Sequence, residues 1–417
     1  MSITPADIRN AVAARLDEAR QFLADLIATP SLSGEEAAAM DLAADVFARV
    51  AEVQRVPMDD ALRGDKDYSD VIGGIAYTGR DNLRVVLPGA GAAKSLLLNA
   101  HIDTVPPSQG QEAPFEPRLI DGALWGRGSC DANGQVATAF LAMAALRELG
   151  VSLGGDLIAH VVVEEENGGN GTLAMVRRGE KAAGCVVLEP TERRILTSIR
   201  GAIWFRIGLR GRPGHSGKAG TTRSALKMAI RVIEILEGYH ARLLAASRGD
   251  PMFDKFENPM PLTIGKLHAG NWAATAPGEA VLEGVLGLLP NTTARQVMDG
   301  LTDAIRREGG PDIADNMDIR FTYRHDASVC PADHPFVAAL AEAVRGAGAE
   351  ASVDAMTASC DAWLYNNQLN IPTVVFGGGS LSVAHSNTEH MPIAELAAAA
   401  ETLAALAVRW CGAEERC

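Results

Sequence analysis

The segment LIAHVVVEEENGG, residues 157 to 169, constrains this chain more than any other. Its first seven residues are apolar but for one histidine, so as a strand it must be covered on both faces of its sheet. The next three are Glu164, Glu165 and Glu166, like charges at the end of a buried element, where each is costly to desolvate and repels its neighbours. Positive charge has to meet them.

The same apolar texture returns in LRVVLPG (83 to 89), SLLLNAH (95 to 101), CVVLEP (185 to 190) and IPTVVFGGG (371 to 379). Helical patterns stand between and beyond these runs: QVATAFLAMAALRELG, GTLAMVRRGEKAAG, HPFVAALAEAVRGAG and AELAAAAETLAALAVRWC. The alternation implies an α/β domain built on a mixed, mostly parallel sheet covered by helices. With 417 residues the chain is too long for one ordinary core. Near residue 199 the texture changes. AIWFRIGLRG alternates like a half-exposed strand, SALKMAIRVIEILEGYHARLL is a long amphipathic helix, and PLTIGKLHAG, EAVLEGVLGLLP and DIRFTYR read as further strands. We expect a smaller α+β unit over 199–325, inserted into a domain formed by 1–198 and 326–417.

The composition narrows the function. Forty-seven per cent of residues are hydrophobic and 22% charged, and no apolar run approaches the length of a membrane span. The formal charge of -14 opposes a nucleic-acid partner, because binding to polyanions rests on lysine and arginine. The six cysteines, at 130, 185, 330, 360, 411 and 417, form no CxxC pair, which fits a reducing compartment and no disulfides. The opening residues read as an amphipathic helix, not a secretory signal, so a cytoplasmic location is expected.

Five apolar segments are each followed by a residue able to bind a metal: His101 and Asp103 after SLLLNA, Asp131 after GALWGRGSC, Glu165 and Glu166 after VVVE, Glu189 after CVVL, and His385 after TVVFGGGSLSVA. In open α/β sheets ligands bind outside the carboxyl ends of the strands, where all five can converge. Histidines mixed with carboxylates suit zinc, manganese or cobalt, and the lack of thiolates weighs against a structural zinc. One carboxylate shared between two ions would leave room for water and substrate. In an extended segment Glu165 and Glu166 point to opposite sides, so one can hold a metal while the other serves as general base.

At these residues the chain resembles the dinuclear zinc peptidase and deacylase family of acetylornithine deacetylase, succinyl-diaminopimelate desuccinylase, aminoacylase and the glutamate-releasing carboxypeptidases. The matching stretches are NAHIDTVPP, LWGRGSCDANG, VVEEENGGNGT, LEPT, GRPGHSG and AHSNTEHMPI, in family order across nearly the whole chain. The resemblance implies His101, Asp131, Glu166, Glu189 and His385 as ligands of two divalent ions, zinc before cobalt or manganese, with Asp131 bridging. It implies Glu165 as catalytic base, Asp103 as the carboxylate orienting His101, and Glu164 as a strand-end residue facing away. It also implies that the inserted unit is a lid that pairs two copies of the chain, and that its His215 donates to the oxyanion, often across the dimer interface.

The chain departs from the family pattern where Asn133 replaces a lysine in DANGQ, where TTRSAL follows GHSGKAG, and where GVLGLLP lacks an arginine. The lid changes bear on substrate, and Arg200, Arg223 and Arg324 are candidates to grip a substrate carboxylate. The expected activity is hydrolysis of the amide of an N-acyl amino acid or related small amide. A di- or exopeptidase using the same site is the alternative, and a catalytically silent binding homologue the remote one.

Overall fold

A computed structural model describes residues 3–91, 93–218 and 220–413, and Cys417 lies outside them. Helix α1 (Pro5–Ile27) begins with a capping box, in which Thr4 Oγ1 accepts the Asp7 N–H at 3.2 Å and the Asp7 carboxylate accepts the Thr4 N–H at 2.9 Å. Its stripe of Ile8, Val12, Phe22, Leu23 and Leu26 is buried, and α2 (Ala37–Phe47) follows. Strands β1 (Glu52–Pro57), β2 (Asp81–Leu87) and β3 (Leu96–His101) lead to α3 (Asn133–Glu148). Residues 133 to 146 of α3 are all buried, as a helix must be when it is apolar nearly all round.

Strand β4 (Leu157–Val162), helix α4 (Asn170–Arg177), β5 (Gly184–Val187) and β6 (Ile195–Ile199) complete the first pass through the large sheet. The chain then leaves it for β7 (Gly201–Arg210), α5 (Ala225–Ala246), β8 (Leu262–Ala269), β9 (Glu279–Leu288), α6 (Ala294–Ala314) and β10 (Met317–His325). It returns through β11 (Ser328–Val329), α7 (Pro335–Gly346), β12 (Val353–Met356), β13 (Thr373–Val375) and α8 (Ile393–Cys411).

The large sheet runs β1-β2-β4-β3-β5-β13-β6-β11, with β12 beside β6. Its centre, β4-β3-β5-β13, is parallel, whereas β1 and β2 at one edge pair antiparallel. Every residue of β3, β4 and β5 is buried, as strands covered on both faces require. The strands of the second excursion form an antiparallel sheet, β8-β9-β7-β10, with α5 and α6 packed on one face over its own apolar core. Strand β7 alternates accordingly, with Ile203, Phe205, Ile207 and Leu209 buried and Arg206 and Arg210 exposed.

Among the described residues no helix is long and apolar enough to cross a membrane. Cys130, Cys185, Cys330, Cys360 and Cys411 are buried free thiols.

Candidate metal centre

The carboxyl ends of the central strands meet at one cleft. His101 closes β3, Glu165 and Glu166 lie in the turn after β4, and Glu189 stands two residues past β5. His385 comes from the loop after β13, and Asp131 from the loop leading into α3. Asp131, Glu165, Glu166, Glu189 and His385 line a cavity of about 310 Å³, which Thr357 and Ser359 also border. That is the volume of a small-ligand site.

Asp131 stands between two imidazoles. Its Oδ1 lies 3.1 Å from His101 Nε2 and its Oδ2 lies 3.3 Å from His385 Nε2. His385 Nε2 is also 2.8 Å from Glu166 Oε1, and His101 Nε2 is 4.0 Å from Glu189 Oε1. One ligand atom each from His101, Asp131 and Glu166 fall within 4.8 Å of one another.

The hydrogen positions of the site leave room for a cation. His101 Nδ1 lies 3.0 Å from the Asp103 backbone carbonyl, which can only accept, so Nδ1 carries a hydrogen. In the neutral ring Nε2 is then a bare lone pair facing the carboxylate of Asp131. Two acceptors 3.1 Å apart are tolerated only with a proton or a cation between them. Burial would lower the affinity of His101 for a proton, yet Asp103, Asp131 and the nearby glutamates hold its pKa well above the ordinary value. Burial, then Asp131, raises both Glu166 and Glu189. A site of this kind attracts positive charge from any source, and imidazole plus carboxylate is the donor set of zinc, manganese or cobalt. The residues present fit such an ion.

The glutamate run is not extended. Strand β4 ends at Val162, Glu164 adopts a left-handed φ of 59°, and residues 165 to 168 form a turn. Glu165 and Glu166 therefore do not alternate in direction as neighbours in an extended segment do. Both lie in the turn, and their amides donate to one carboxylate: Glu165 N–H to Asp103 Oδ1 at 3.0 Å and Glu166 N–H to Asp103 Oδ2 at 3.1 Å. Glu164 does face away from the cleft, into a fully buried network. Its carboxylate accepts from Arg80 Nη1, from Tyr77 Oη at 3.1 Å, and from the side-chain amides of Asn167 and Asn170 at 3.1 and 2.9 Å. The same guanidinium holds Glu36, with Nη2 2.6 Å from Oε1 and Nε 3.0 Å from Oε2.

Known proteins place the chain in a family. The family model described as peptidase family M20/M25/M40 matches residues 97–409. The chain belongs to that family. As a member it is a metal-dependent hydrolase of amide bonds. It is 27% identical over 363 residues to an N-formyl-4-amino-5-aminomethyl-2-methylpyrimidine deformylase from Bacillus subtilis, covering 80% of this chain and 84% of the relative. It is 27% identical over 335 residues to an acetylornithine deacetylase from Myxococcus xanthus, covering 79% and 84%. In fold it is similar to a di-peptidase from Saccharomyces cerevisiae, with TM-score 0.78 at 13% identity over the whole of both chains. The likeness to human carnosine dipeptidase 1 has TM-score 0.74 at 16% identity, over 98% of this chain and 99% of that one.

In this M20-family hydrolase a further set of residues positions the cleft. Asp103 approaches His101 Nδ1 mainly through its carbonyl, its Oδ1 being 3.4 Å away, and its carboxylate serves chiefly to tie the glutamate turn and the Ser33 hydroxyl, 2.7 Å from Oδ2. Glu389 does the same for the Asp131 loop. It accepts the N–H groups of Cys130 and Asp131, each at 3.1 Å, while paired with the buried Arg127. Glu389 lies inside AHSNTEHMPI, but nothing in its spacing marked it. Asp361, also fully buried, accepts from Thr172 Oγ1 at 2.5 Å, and burial lifts its pKa to about 6.

His215 lies on the short strand Gly214–His215 of the smaller domain, exposed, and is not among the residues lining the cleft. Of the three candidate arginines, Arg223 pairs with Asp312 at 3.1 Å and Arg324 donates to the Lys66 and Phe321 carbonyls at 3.2 and 2.9 Å. Arg200 donates to the carbonyl of Thr357, at the border of the cleft.

Proposed function

We propose that this chain is a deacylase that hydrolyses the amide between an acyl group and a small amine such as an amino acid, with Glu165 as general base. The observation that carries the reading is one carboxylate, Asp131, set between two imidazole nitrogens in a cleft that Glu165 also lines. The deformylase and deacetylase names of the two sequence relatives above support loss of an acyl group over cleavage between amino acids.

His101, Asp131, Glu166, Glu189 and His385 would hold two divalent ions, zinc in the first place with cobalt or manganese as alternatives, Asp131 being shared. Such a pair would supply Lewis acidity and ease the formation of hydroxide from water. Glu165 accepts a proton from the attacking water at its carboxylate and hands it to the leaving nitrogen. Asp103 keeps Glu165 aimed by bonding the turn beneath it.

His215 donates to the developing oxyanion. Its Nδ1 accepts the Gly217 N–H at 3.0 Å, which leaves the ring proton on Nε2, free to donate. Because His215 is exposed on its own chain and does not line its own cleft, we assign it to the cleft of a second copy, in a homodimer formed through the smaller domain. The buried free thiols fit a reducing compartment such as the cytoplasm.

The test is a panel of N-formyl, N-acetyl and N-succinyl amino acids and amines against dipeptides, with zinc, cobalt or manganese supplied. Deacylation is the expected activity. Preference for dipeptides replaces the deacylase with an exopeptidase, and inactivity of metal-loaded protein on both sets removes the catalytic reading.

A further inference from the structure

The last residue of β10, His325, is fully buried where the chain turns back toward the large sheet. Its Nε2 lies 3.0 Å from the carbonyl oxygen of Gly168. A carbonyl only accepts, so Nε2 carries the proton and Nδ1 of the neutral ring accepts. Two hydroxyls face Nδ1, Tyr323 Oη at 2.8 Å and Ser359 Oγ at 3.1 Å, themselves 3.0 Å apart. This triangle has three edges but only two hydroxyl protons. Either hydroxyl can serve Nδ1, so the ring never has to give up its bond to Gly168. Burial pushes the imidazole down to about 4, which keeps it neutral at physiological pH.

Gly168 belongs to the turn that carries Glu165 and Glu166, and its N–H donates to the Glu165 carbonyl at 2.8 Å. Its φ is 103°, and a Cβ there would come within 2.9 Å of the Tyr323 ring and 2.3 Å of Ser69 Cβ, so only glycine fits. The turn is thus held on one side by Tyr323 and His325. On the other, Asp103 ties it through the Glu165 and Glu166 amides, and the Ile72 N–H donates to Asn167 Oδ1 at 2.8 Å. Strand β10 is part of the smaller sheet, so the clasp joins that sheet to the residue we read as the base.

We propose that His325 is a positioning residue for the hydrolysis: its Nε2–H bond to Gly168 fixes the turn that aims Glu165, making the placement of the smaller domain part of the geometry of the base. This inference rests on the reading of Glu165 as general base. Misplacing a catalytic group by about 1 Å costs on the order of 10²-fold, so loss of the clasp should fall in the range of about 10- to 100-fold.

Asparagine at 325 can reach only the Tyr323 and Ser359 side, whereas glutamine sets an amide N–H where Nε2 was. H325N should therefore lose about 10- to 100-fold in kcat with KM within about threefold and bound metal unchanged, and H325Q should recover most of the loss. Equal losses in both variants, or a raised KM at unchanged kcat, would overturn the proposal. In the wild-type enzyme, nitrogen NMR of labelled histidine should show the Nε2–H tautomer, not titrating between about pH 5 and 9. An Nδ1–H tautomer, or titration inside that window, overturns it whether or not the variants fold. Near-normal turnover in E165Q would instead remove the reading of Glu165 and leave the tautomer result standing.

Discussion

Glu164 and Glu165 are neighbours in the chain and both are buried, yet the protein surrounds them differently. Glu164 shares Arg80 with Glu36, and hydrogen bonds from Tyr77, Asn167 and Asn170 complete its shell. One guanidinium, permanently charged and fixed in a fork, answers two carboxylates. Glu165 lies instead beside Asp131, Glu166 and Glu189, which have two histidines as their nearest cationic partners. Histidine is a weak counter-charge, and burial leaves Glu165 with a raised affinity for protons. Where acids serve the fold, the chain supplies a built-in cation. Where they serve chemistry, it leaves a deficit that an exchangeable cation fills.

The largest expected effect tests the chemical side. Glu165→Gln removes the proton acceptor without changing the shape of the turn, and should cost at least ~10²–10⁴-fold in kcat. Metal content should stay at the wild-type level, measured on the same sample, because Glu165 is not assigned as a ligand. Metal loss equal to that of His101→Ala would merge the two roles that the contrast separates.

Next comes the structural side. Arg80→Met leaves Glu36 and Glu164 buried without their shared cation, and breaking a buried pair from one side costs about 3–5 kcal/mol. Denaturant unfolding should show that loss, while protein that remains folded at low temperature keeps its metal. A variant as stable as the wild type would mean that the tyrosine and asparagine donors suffice for Glu164.

This contrast was only half legible in the sequence. The candidate ligands could be picked out because apolar segments precede them, and β3, β4, β5 and β13 are apolar but for Asn99, His101, His160 and Thr373. Three adjacent glutamates also demanded a cation, but nothing local pointed to Arg80, which stands 84 residues before Glu164 at the end of an irregular stretch. Strand β1 carries mostly exposed residues and α2 has few polar ones, so neither shows the buried-strand or amphipathic texture. The turn at Glu164 was misread as extended because its signal, Gly168 and Gly169 with positive φ, lies downstream of the bend and not within it. His325 carried no signal in its spacing, since its meaning comes from a carbonyl 157 positions away.

The smallest effect we expect bears on the contrast most directly. If the cleft lacks a built-in cation, then metal binding must contribute to stability, by RT ln(1 + [L]/Kd), or about 2.7 kcal/mol at a hundredfold excess over Kd. Stripping the enzyme with a chelator and restoring zinc should therefore move the thermal midpoint by a few degrees, at roughly 1–2 °C per kcal/mol for a chain of this size. The Arg80→Met variant should respond by the same increment from its lower starting point, because its defect lies in a network already neutralised from within. A response absent in the wild type would mean that protons alone satisfy Asp131, Glu166 and Glu189. One lost only in Arg80→Met would mean that the two acid clusters, joined through Glu164 and Glu165, act as a single electrostatic unit.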